Sequence, residues 1–244
     1  MRSVTVLVLV AALVGACAAQ GSPTPDPTAS PDASTAAPTP TVEPTPEPTP
    51  AYLFRDEFSG TLAEGWEWRG EDPDLWSLTD DGFLRIQVQP TGFSAEDPHN
   101  LLLRPAPNGD FVIETFVRFE PARNFEVAGL VIYEDFRSAM QFGRAFAQCA
   151  QGCVGNGLYW DALVDGQYQS PNYASEPGQA GVIYLRLIRI GDSYTASYSA
   201  DGSAWVEVGT RQLPISPNHI GIIAGQGPIS GLAAEFDYFE VALP

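Results

Sequence analysis

The chain has 244 residues, of which 44% are hydrophobic and 17% are charged, and it contains 23 Gly, 22 Pro and three Cys. Thirty acidic residues against twelve basic ones give a formal charge of −18, and every basic residue is an arginine. This balance argues against a nucleic-acid-binding protein and against electrostatic docking on anionic lipid, because both depend on clustered basic side chains. The absence of lysine also excludes a Schiff-base lysine or a P-loop lysine. Ten of the prolines lie in residues 23–50, so the composition predicts one domain attached to a disordered segment.

The N-terminal residues have the pattern of an export signal. Arg2 precedes an almost wholly apolar run from Val4 to Val14, which is too short for a stable transmembrane helix. The segment Val14-Gly15-Ala16-Cys17 resembles the lipobox of bacterial lipoproteins, which implies removal of residues 1–16 and lipid attachment at Cys17. An ordinary secretory signal, cleaved near Ala19, is the alternative. The lipobox predicts a protein on the cell surface or the periplasmic side of a bacterial membrane, bound to that membrane through its lipid anchor alone.

Residues 17–51 begin with the lipidated cysteine and continue as a Pro/Thr-rich linker. Ala, Thr, Ser, Pro, Gly, Asp and Glu make up almost all of this segment, and no apolar period is present from which a core could form. Repeated Thr-Pro and Glu-Pro pairs favour extended polyproline conformations, at about 3.1 Å per residue. We expect a disordered stalk that holds the following domain away from the membrane.

Residues 52–244 are numerous enough to form one well-buried core. Their apolar residues show no convincing helical period, and instead form short β-branched and aromatic runs separated by turn signals such as Asp81-Gly82 and Asp201-Gly202. Thirteen such runs are too many for an immunoglobulin-type unit, and they predict an all-β, two-sheet jelly-roll β-sandwich. The predicted strands are Leu53–Phe58, Trp76–Leu78, Phe83–Val88, Asn100–Arg104, Phe111–Phe119, Val127–Tyr133, Ala139–Phe146, Gly157–Val164, Val182–Ile190, Ser193–Ser199, Trp205–Val208, Ile220–Ala224 and Ala233–Leu243.

An ordered series of short motifs resembles a known domain family. It includes Phe54-Arg55-Asp56-Glu57-Phe58, Trp66-Glu67-Trp68, Ala128-Gly129-Leu130-Val131-Ile132-Tyr133 and the closing Phe236-Asp237-Tyr238-Phe239. The series covers nearly all of residues 52–244 and resembles the concanavalin A-like domain at the C-terminus of family 43 β-xylosidases, with its relatives among DUF1349 proteins. The resemblance implies a jelly roll linked to glycan biology. In those enzymes the catalytic residues lie in a separate propeller that we do not recognise in this sequence, so the resemblance implies a non-catalytic module.

The last predicted strand carries the best candidate for enzymatic chemistry. Glu235, Asp237 and Glu240 form a Glu-x-Asp-x-x-Glu motif that resembles the catalytic strand of laminarinase-like glycoside hydrolases. Retaining hydrolysis needs two carboxyl groups about 5–5.5 Å apart. In a regular strand Glu235 and Asp237 share one face and Glu240 points to the other, so a β-bulge is needed to bring all three together. The position of the motif at the end of the domain favours a structural role, and hydrolysis remains the alternative.

A carbohydrate-binding face is predicted from the alternation of side chains along three strands. In Val182–Ile190 the apolar stripe is Ile183, Leu185 and Leu187, in Gly157–Val164 it is Leu158, Trp160 and Ala162, and in Val127–Tyr133 it includes Leu130 and Ile132. If these strands are neighbours, their outward residues and one residue of the intervening strand line a common face on which aromatic rings stack against sugars. These predicted ligand-binding residues are Tyr133, Gln141, Tyr159, Asp161, Tyr184 and Arg186. An amphipathic outer sheet without a ligand is the alternative.

Cysteines, histidines and acidic loops give weaker signals. Cys149 and Cys153 have the spacing of a zinc half-site, but no second Cys or His pair completes it, and in an exported protein we expect them to form a disulfide. His99 and His219 have no partner at ligand spacing. Acidic loops such as Glu134-Asp135 carry the oxygen ligands that Ca²⁺ prefers, so a structural calcium ion is possible, and no other cofactor is expected.

These observations lead to one functional hypothesis and two alternatives. Residues 52–244 contain 26 acidic residues and 11 arginines, a formal charge of −15, which favours an uncharged glycan over an acidic polymer. We therefore expect a surface-anchored, monomeric, non-catalytic module that binds a neutral polysaccharide or oligosaccharide. The alternatives are a jelly-roll glycoside hydrolase that uses Glu235, Asp237 or Glu240, and a structural or protein-interaction lipoprotein.

Overall fold

The computed structural model describes residues 52–148, 155–169, 173–175 and 181–244. The chain divides into two units, residues 1–47 and 48–244, and the described residues all belong to the second. Their regular structure consists of strands and one short 3₁₀-helix, Pro73–Leu75. The strands are β1 (Tyr52–Asp56), β2 (Glu67–Arg69), β3 (Trp76–Leu78), β4 (Leu84–Gln87), β5 (Leu101–Pro105), β6 (Phe111–Arg118), β7 (Val127–Asp135), β8 (Ser138–Ala147), β9 (Gly155–Val164), β10 (Gln167–Tyr168), β11 (Tyr173–Ser175), β12 (Val182–Ile190), β13 (Ser193–Ser199), β14 (Trp205–Gln212), β15 (His219–Gly225) and β16 (Ala233–Ala242).

These strands form two antiparallel sheets of eight strands each. Sheet A has the order β14-β13-β12-β6-β16-β4-β3, and β1 also pairs with β16. Sheet B has the order β10-β9-β8-β7-β15-β5-β2, and β11 also pairs with β9. The sheets pack face to face, so the prediction of an all-β, two-sheet sandwich is confirmed. All thirteen predicted strands are present, and the structure adds three strands of two or three residues, β2, β10 and β11.

The main hydrophobic core lies between the inner faces of the two sheets. Its members include Ile183, Leu185 and Leu187 of sheet A and Leu158 and Trp160 of sheet B, as the alternation of the sequence predicts. The side chains between these positions point to the outer faces.

Within the part of the chain that the structure describes, no helix is long and apolar enough to cross a membrane.

A second buried layer covers part of the outer face of sheet B. Phe93, which belongs to no strand, is fully buried there and packs with side chains from strands of sheet B that include Leu101, Val131 and Ile223. The segment around Phe93 is also held by backbone hydrogen bonds, because the amide of Gln226 donates to the Thr91 carbonyl at 2.9 Å. This segment therefore forms a wall that stands on the outer face of sheet B.

Strand β16 contains a β-bulge that decides which carboxylates share a face. The register with β6 shifts between Phe236 and Phe239, and both of these rings lie in the core although three positions separate them. Thr115 sits at an inward position of β6 and is fully buried, and its hydroxyl donates to the Tyr238 carbonyl at 2.6 Å. The bulge therefore has a specific hydrogen-bond donor, and it brings Glu240 to the same outer face as Glu235.

Candidate functional site

Four of the six predicted binding residues lie on the outer face of sheet B. Tyr133 comes from β7, Gln141 from β8, and Tyr159 and Asp161 from β9, and these three strands are consecutive neighbours in the sheet. Gln141 is the direct cross-strand partner of Asp161. The predicted orientation of these four side chains therefore agrees with the structure.

The other two predicted residues lie elsewhere, which corrects the idea of one common face. Tyr184 and Arg186 belong to β12, which lies in sheet A between β6 and β13. Arg186 pairs with Glu114 at 2.7 Å and lies over the Trp205 ring at 3.5 Å from its centroid. The alternation within β12 was predicted correctly, but its neighbours in the sheet were not, so these side chains point away from the other four.

The two predicted tyrosines of sheet B are engaged in packing. The Tyr133 ring is buried among the residues around Phe93, and its hydroxyl accepts a hydrogen bond from the Arg69 guanidinium at 2.6 Å. The Tyr159 hydroxyl donates to the Gly155 carbonyl at 3.1 Å. Burial among core residues leaves these rings no open face on which a sugar could stack.

A groove opens on the same face, beside Asp161. Its volume is about 640 Å³. One wall is the segment around Phe93, and the floor includes Asp161 and Gln226. The lining residues are Pro90, Thr91, Gly92, Ser94, Ala95, Phe125, Asp161, Tyr168 and Gln226.

The floor of the groove is a small hydrogen-bonded network centred on Gln141. Its amide nitrogen donates to Asp161 Oδ2 at 3.2 Å and to Gln226 Oε1 at 2.8 Å. The Gln141 side chain is 1% exposed, and its Oε1 has no hydrogen-bond partner among the described residues. Burial raises the pKa of the Asp161 carboxyl, and the hydrogen bond from Gln141 and the positive charge of Arg211 oppose that rise. Asp161 is therefore a partly desolvated acceptor at the bottom of the groove.

Two exposed aromatic side chains line the groove. Phe125 is 65% exposed and Tyr168 is 60% exposed, so both rings present most of their surface to solvent. Phe125 also has a positive φ of +74°, a conformation that costs free energy in a bulky residue. The buried Glu126 carboxylate holds this turn, because it accepts hydrogen bonds from the backbone amides of Ala122 at 2.8 Å and Arg123 at 2.9 Å. The fold thus maintains an outward-facing ring at a strained position.

The formal charge of the groove lining is negative. Asp161 carries the only formal charge among the described residues that line it. Arg211 approaches from behind, where its guanidinium donates to the Trp160 carbonyl at 3.2 Å and to the Gln169 carbonyl at 2.9 Å. It is buried and does not line the groove, so no described arginine offers a lining contact to an anion.

The predicted hydrolase carboxylates lie on the opposite side of the sandwich, on the outer face of sheet A. Glu240 is paired with Arg55 at 2.5 Å, and Glu235 lies 3.8 Å from Arg85 and 3.9 Å from Arg118. Asp237 lies in the bulge, where burial raises the pKa of its carboxyl. Glu235 and Glu240 thus both face arginines on sheet A, and neither lines the groove on sheet B.

No group of three or more His, Cys, Asp or Glu side chains within the described ranges could hold a metal ion. In the acidic loop after β7, the Glu134 carboxylate accepts a hydrogen bond from the Ser216 amide and Asp135 accepts from the amides of Arg137 and Ser138. The predicted signal and linker, Cys17, and the predicted disulfide between Cys149 and Cys153 lie outside the described residues.

Comparison with known proteins adds a family to this geometry. The family model of the β-xylosidase C-terminal concanavalin A-like domain matches residues 55–242. The chain belongs to this family. Its concanavalin A-like fold explains the two eight-stranded sheets, and it agrees with the resemblance seen in the sequence motifs. No curated protein matches the sequence.

Solved structures of similar proteins share the fold of this concanavalin A-like domain. The GH43 BlXynB protein from Bacillus licheniformis has a TM-score of 0.68 at 20% identity, over 78% of this chain and 39% of that one. The GH43B protein of a Bacteroides ovatus xyloglucan PUL has 0.66 at 20% identity, over 81% and 41%. A xylan β-1,4-xylosidase from Bacillus halodurans has 0.63 at 20% identity, over 83% and 41%. This chain thus spans about two fifths of the length of each of these three proteins.

Sequence reasoning missed the walls of the groove and half of its floor. Phe125 and Tyr168 each follow a polar turn, Arg123-Asn124 and Asp165-Gly166-Gln167, and an aromatic residue at such a position is a usable signal of an exposed ring. Gln226 and the segment around Phe93 carried no comparable signal. Their positions depend on tertiary contacts that the local pattern does not encode.

Proposed function

We propose that residues 52–244 form a non-catalytic carbohydrate-binding module that holds neutral polysaccharide in the groove on sheet B. The observation that carries this proposal is the combination of two exposed rings, Phe125 and Tyr168, with a polar floor at Asp161 and Gln226. Aromatic rings bind the apolar faces of sugar rings, and a few placed polar groups fix the hydroxyls. The groove supplies both kinds of contact in one concave site.

The charge distribution supports a neutral ligand. The domain has a formal charge of −15, and Asp161 is the charged residue at the floor. A uronate or a phosphate would meet a carboxylate there and no lining arginine among the described residues. A neutral sugar avoids this repulsion and can donate hydroxyl hydrogen bonds to Asp161.

The relatives suggest which glycans to test first. One related structure is named as a xylan β-1,4-xylosidase, and another belongs to a xyloglucan PUL. The identity of 20% carries the fold alone, so for this chain xylan and β-glucan are proposals. Arabinan is a third neutral polysaccharide to test.

We also propose that this module is anchored outside the cytoplasm. The lipobox at Val14-Gly15-Ala16-Cys17 supplies the attachment site, and the Pro/Thr-rich segment that follows supplies a spacer. Cys17→Ala in the producing bacterium should release the protein from the membrane fraction, and mass spectrometry of the wild-type protein should find acyl chains on Cys17. Unchanged membrane association of the variant would contradict the anchor.

The binding proposal is tested with the full-length chain. Affinity electrophoresis in gels containing xylan, arabinan or β-glucan should retard the wild-type protein, and polygalacturonate should not. Phe125→Ala and Tyr168→Ala should each abolish most of the retardation. Tyr52→Ala, which removes a half-exposed ring at the edge of sheet A, is the matched control and should leave it unchanged. Mobility that none of the neutral glycans alters would contradict the proposed function.

A further inference from the structure

The hydrogen bonds under the groove have a fixed polarity. Gln141 uses both protons of its amide nitrogen, one toward Asp161 Oδ2 and one toward Gln226 Oε1. The Asp161 carboxylate can only accept, so it fixes the Gln141 nitrogen toward itself, and that nitrogen in turn requires the oxygen of the Gln226 amide. The cost is a buried Gln141 Oε1 without a partner. The direction of each hydrogen bond in this network is therefore determined by the groups around Gln141.

This polarity determines which atoms remain free at the floor. The side-chain oxygen of Gln226 accepts from Gln141, and its side-chain nitrogen has no hydrogen bond within the described residues, so this nitrogen can donate to a ligand. That nitrogen lies against Gly92, a lining residue, only 2.7 Å from where a Cβ of Gly92 would be. Asp161 accepts from Gln141 through Oδ2, and its Oδ1 has no hydrogen bond within the described part of the chain. The floor thus offers one charged acceptor and one amide donor, both tied to Gln141.

We infer that the floor recognises two adjacent free hydroxyl groups of one sugar ring, with Asp161 accepting a hydrogen bond from one hydroxyl and Gln226 donating to the other. This inference rests on the proposed function. A hydroxyl both donates and accepts, so a vicinal diol matches an acceptor beside a donor. Gln141 does not touch the sugar and acts as the positioning residue for both contacts.

This arrangement defines a ligand class within the neutral glycans. Xylan, arabinan and cellulose-type β-glucan each carry free hydroxyls at positions 2 and 3 of the backbone sugar. Methylation of both oxygens removes the donor that Asp161 needs and leaves the overall charge of the glycan unchanged. A site that held the sugar through ring stacking alone would not depend on those two protons.

The ligand arm of the test uses xylohexaose, arabinohexaose and cellohexaose, each in native and 2,3-di-O-methylated form. Isothermal titration calorimetry with the full-length chain should give about tenfold or greater loss of affinity on methylation, since a hydrogen bond to a charged group is lost. In Asp161→Ala, affinity for the native form should fall to that of the methylated form, and methylation should then have little further effect. Equal affinities of native and methylated forms for the wild-type protein would overturn this inference and leave the proposed function standing. Failure of every native hexasaccharide to bind would overturn both.

The positioning role of Gln141 has its own readout. Affinity for the native hexasaccharide should fall as the pH falls through the pKa of Asp161, because protonation removes the charged acceptor. The hydrogen bond from Gln141 lowers that pKa, so Gln141→Met, which keeps the side-chain volume, should move the midpoint of the pH profile upward. A loss of affinity with an unmoved midpoint would assign Gln141 a packing role and overturn its positioning role. Gln141→Glu is the second variant, and the new negative charge beside Asp161 should raise the midpoint as well.

Discussion

Adding one methyl group at Gly92 tests the floor of the groove. The backbone of Gly92 is not in the left-handed region, so alanine fits its conformation. An alanine Cβ would, however, lie 2.3 Å from Gln226 Cγ, 2.7 Å from its amide nitrogen and 2.8 Å from Cδ, where ordinary contact begins at 3.4 Å. The Gln226 side chain must therefore move by roughly the 1 Å overlap, which breaks its 2.8 Å hydrogen bond from Gln141.

The size of the effect follows from the hydrogen bond to the sugar that the displaced Gln226 amide no longer makes. Loss of a neutral hydrogen bond costs about 0.5–1.5 kcal/mol, which corresponds to roughly two- to tenfold weaker binding of a neutral hexasaccharide if the amide no longer meets the ligand. Calorimetry of Gly92→Ala gives this number directly. Gln226→Ala removes the atoms that the new methyl group would strike, so the double variant should bind no more weakly than Gln226→Ala alone. Independent losses that add in the double variant, or unchanged binding by Gly92→Ala, would refute the reasoning.

Three further predictions concern stability. Asp161→Asn should raise the melting temperature at neutral pH, because a buried acid with a raised pKa destabilises the folded state once it is ionised. This gain should shrink as the pH falls toward 3.8, the pKa of an aspartate carboxyl in the unfolded chain, and a gain that persists in acid would contradict the prediction. Thr115→Val should lower the free energy of unfolding in urea by about 1–3 kcal/mol, because it leaves the buried Tyr238 carbonyl without its 2.6 Å donor, and an unchanged value would mean that the bulge is held otherwise. Arg186→Gln should cost about 1 kcal/mol of stability through its partly exposed ion pair with Glu114, while glycan affinity stays unchanged because β12 lies in the other sheet; altered affinity would place the binding face on sheet A.

The fold was predictable because strand periodicity is local. Alternation places Leu185 and Leu187 in the core and Tyr184 outside it, and the structure agrees. The strands that escaped prediction have two or three residues, too few to show a period. The order of the strands in each sheet could not be predicted in this way. Strand β12 pairs with β6, which lies more than sixty residues earlier in the chain. No local pattern contains that information, and this is why Tyr184 and Arg186 were assigned to the wrong face.

The candidate site was predictable in part for the same reason. Gln141 and Asp161 were found because they lie on adjacent antiparallel strands that follow one another in the chain, where outward positions line up. Phe125, Gln226 and the wall around Phe93 come from loops, and loops carry no side-chain period. The pattern of a single strand predicts which way a side chain points, but not whether solvent reaches it. Tyr133 and Tyr159 point outward as expected, and neighbouring side chains nonetheless bury them.

The measurement that tests the account most directly is a backbone-amide NMR titration of the full-length chain with the tightest-binding of xylohexaose, arabinohexaose and cellohexaose. The account predicts that the largest shift changes fall on the amides of the groove-lining residues, which are Thr91, Gly92, Ser94, Ala95, Phe125, Asp161, Tyr168 and Gln226. Shift changes confined to the outer face of sheet A around Trp205, or no changes with any of the three sugars, would contradict the assignment of this groove as a glycan-binding site.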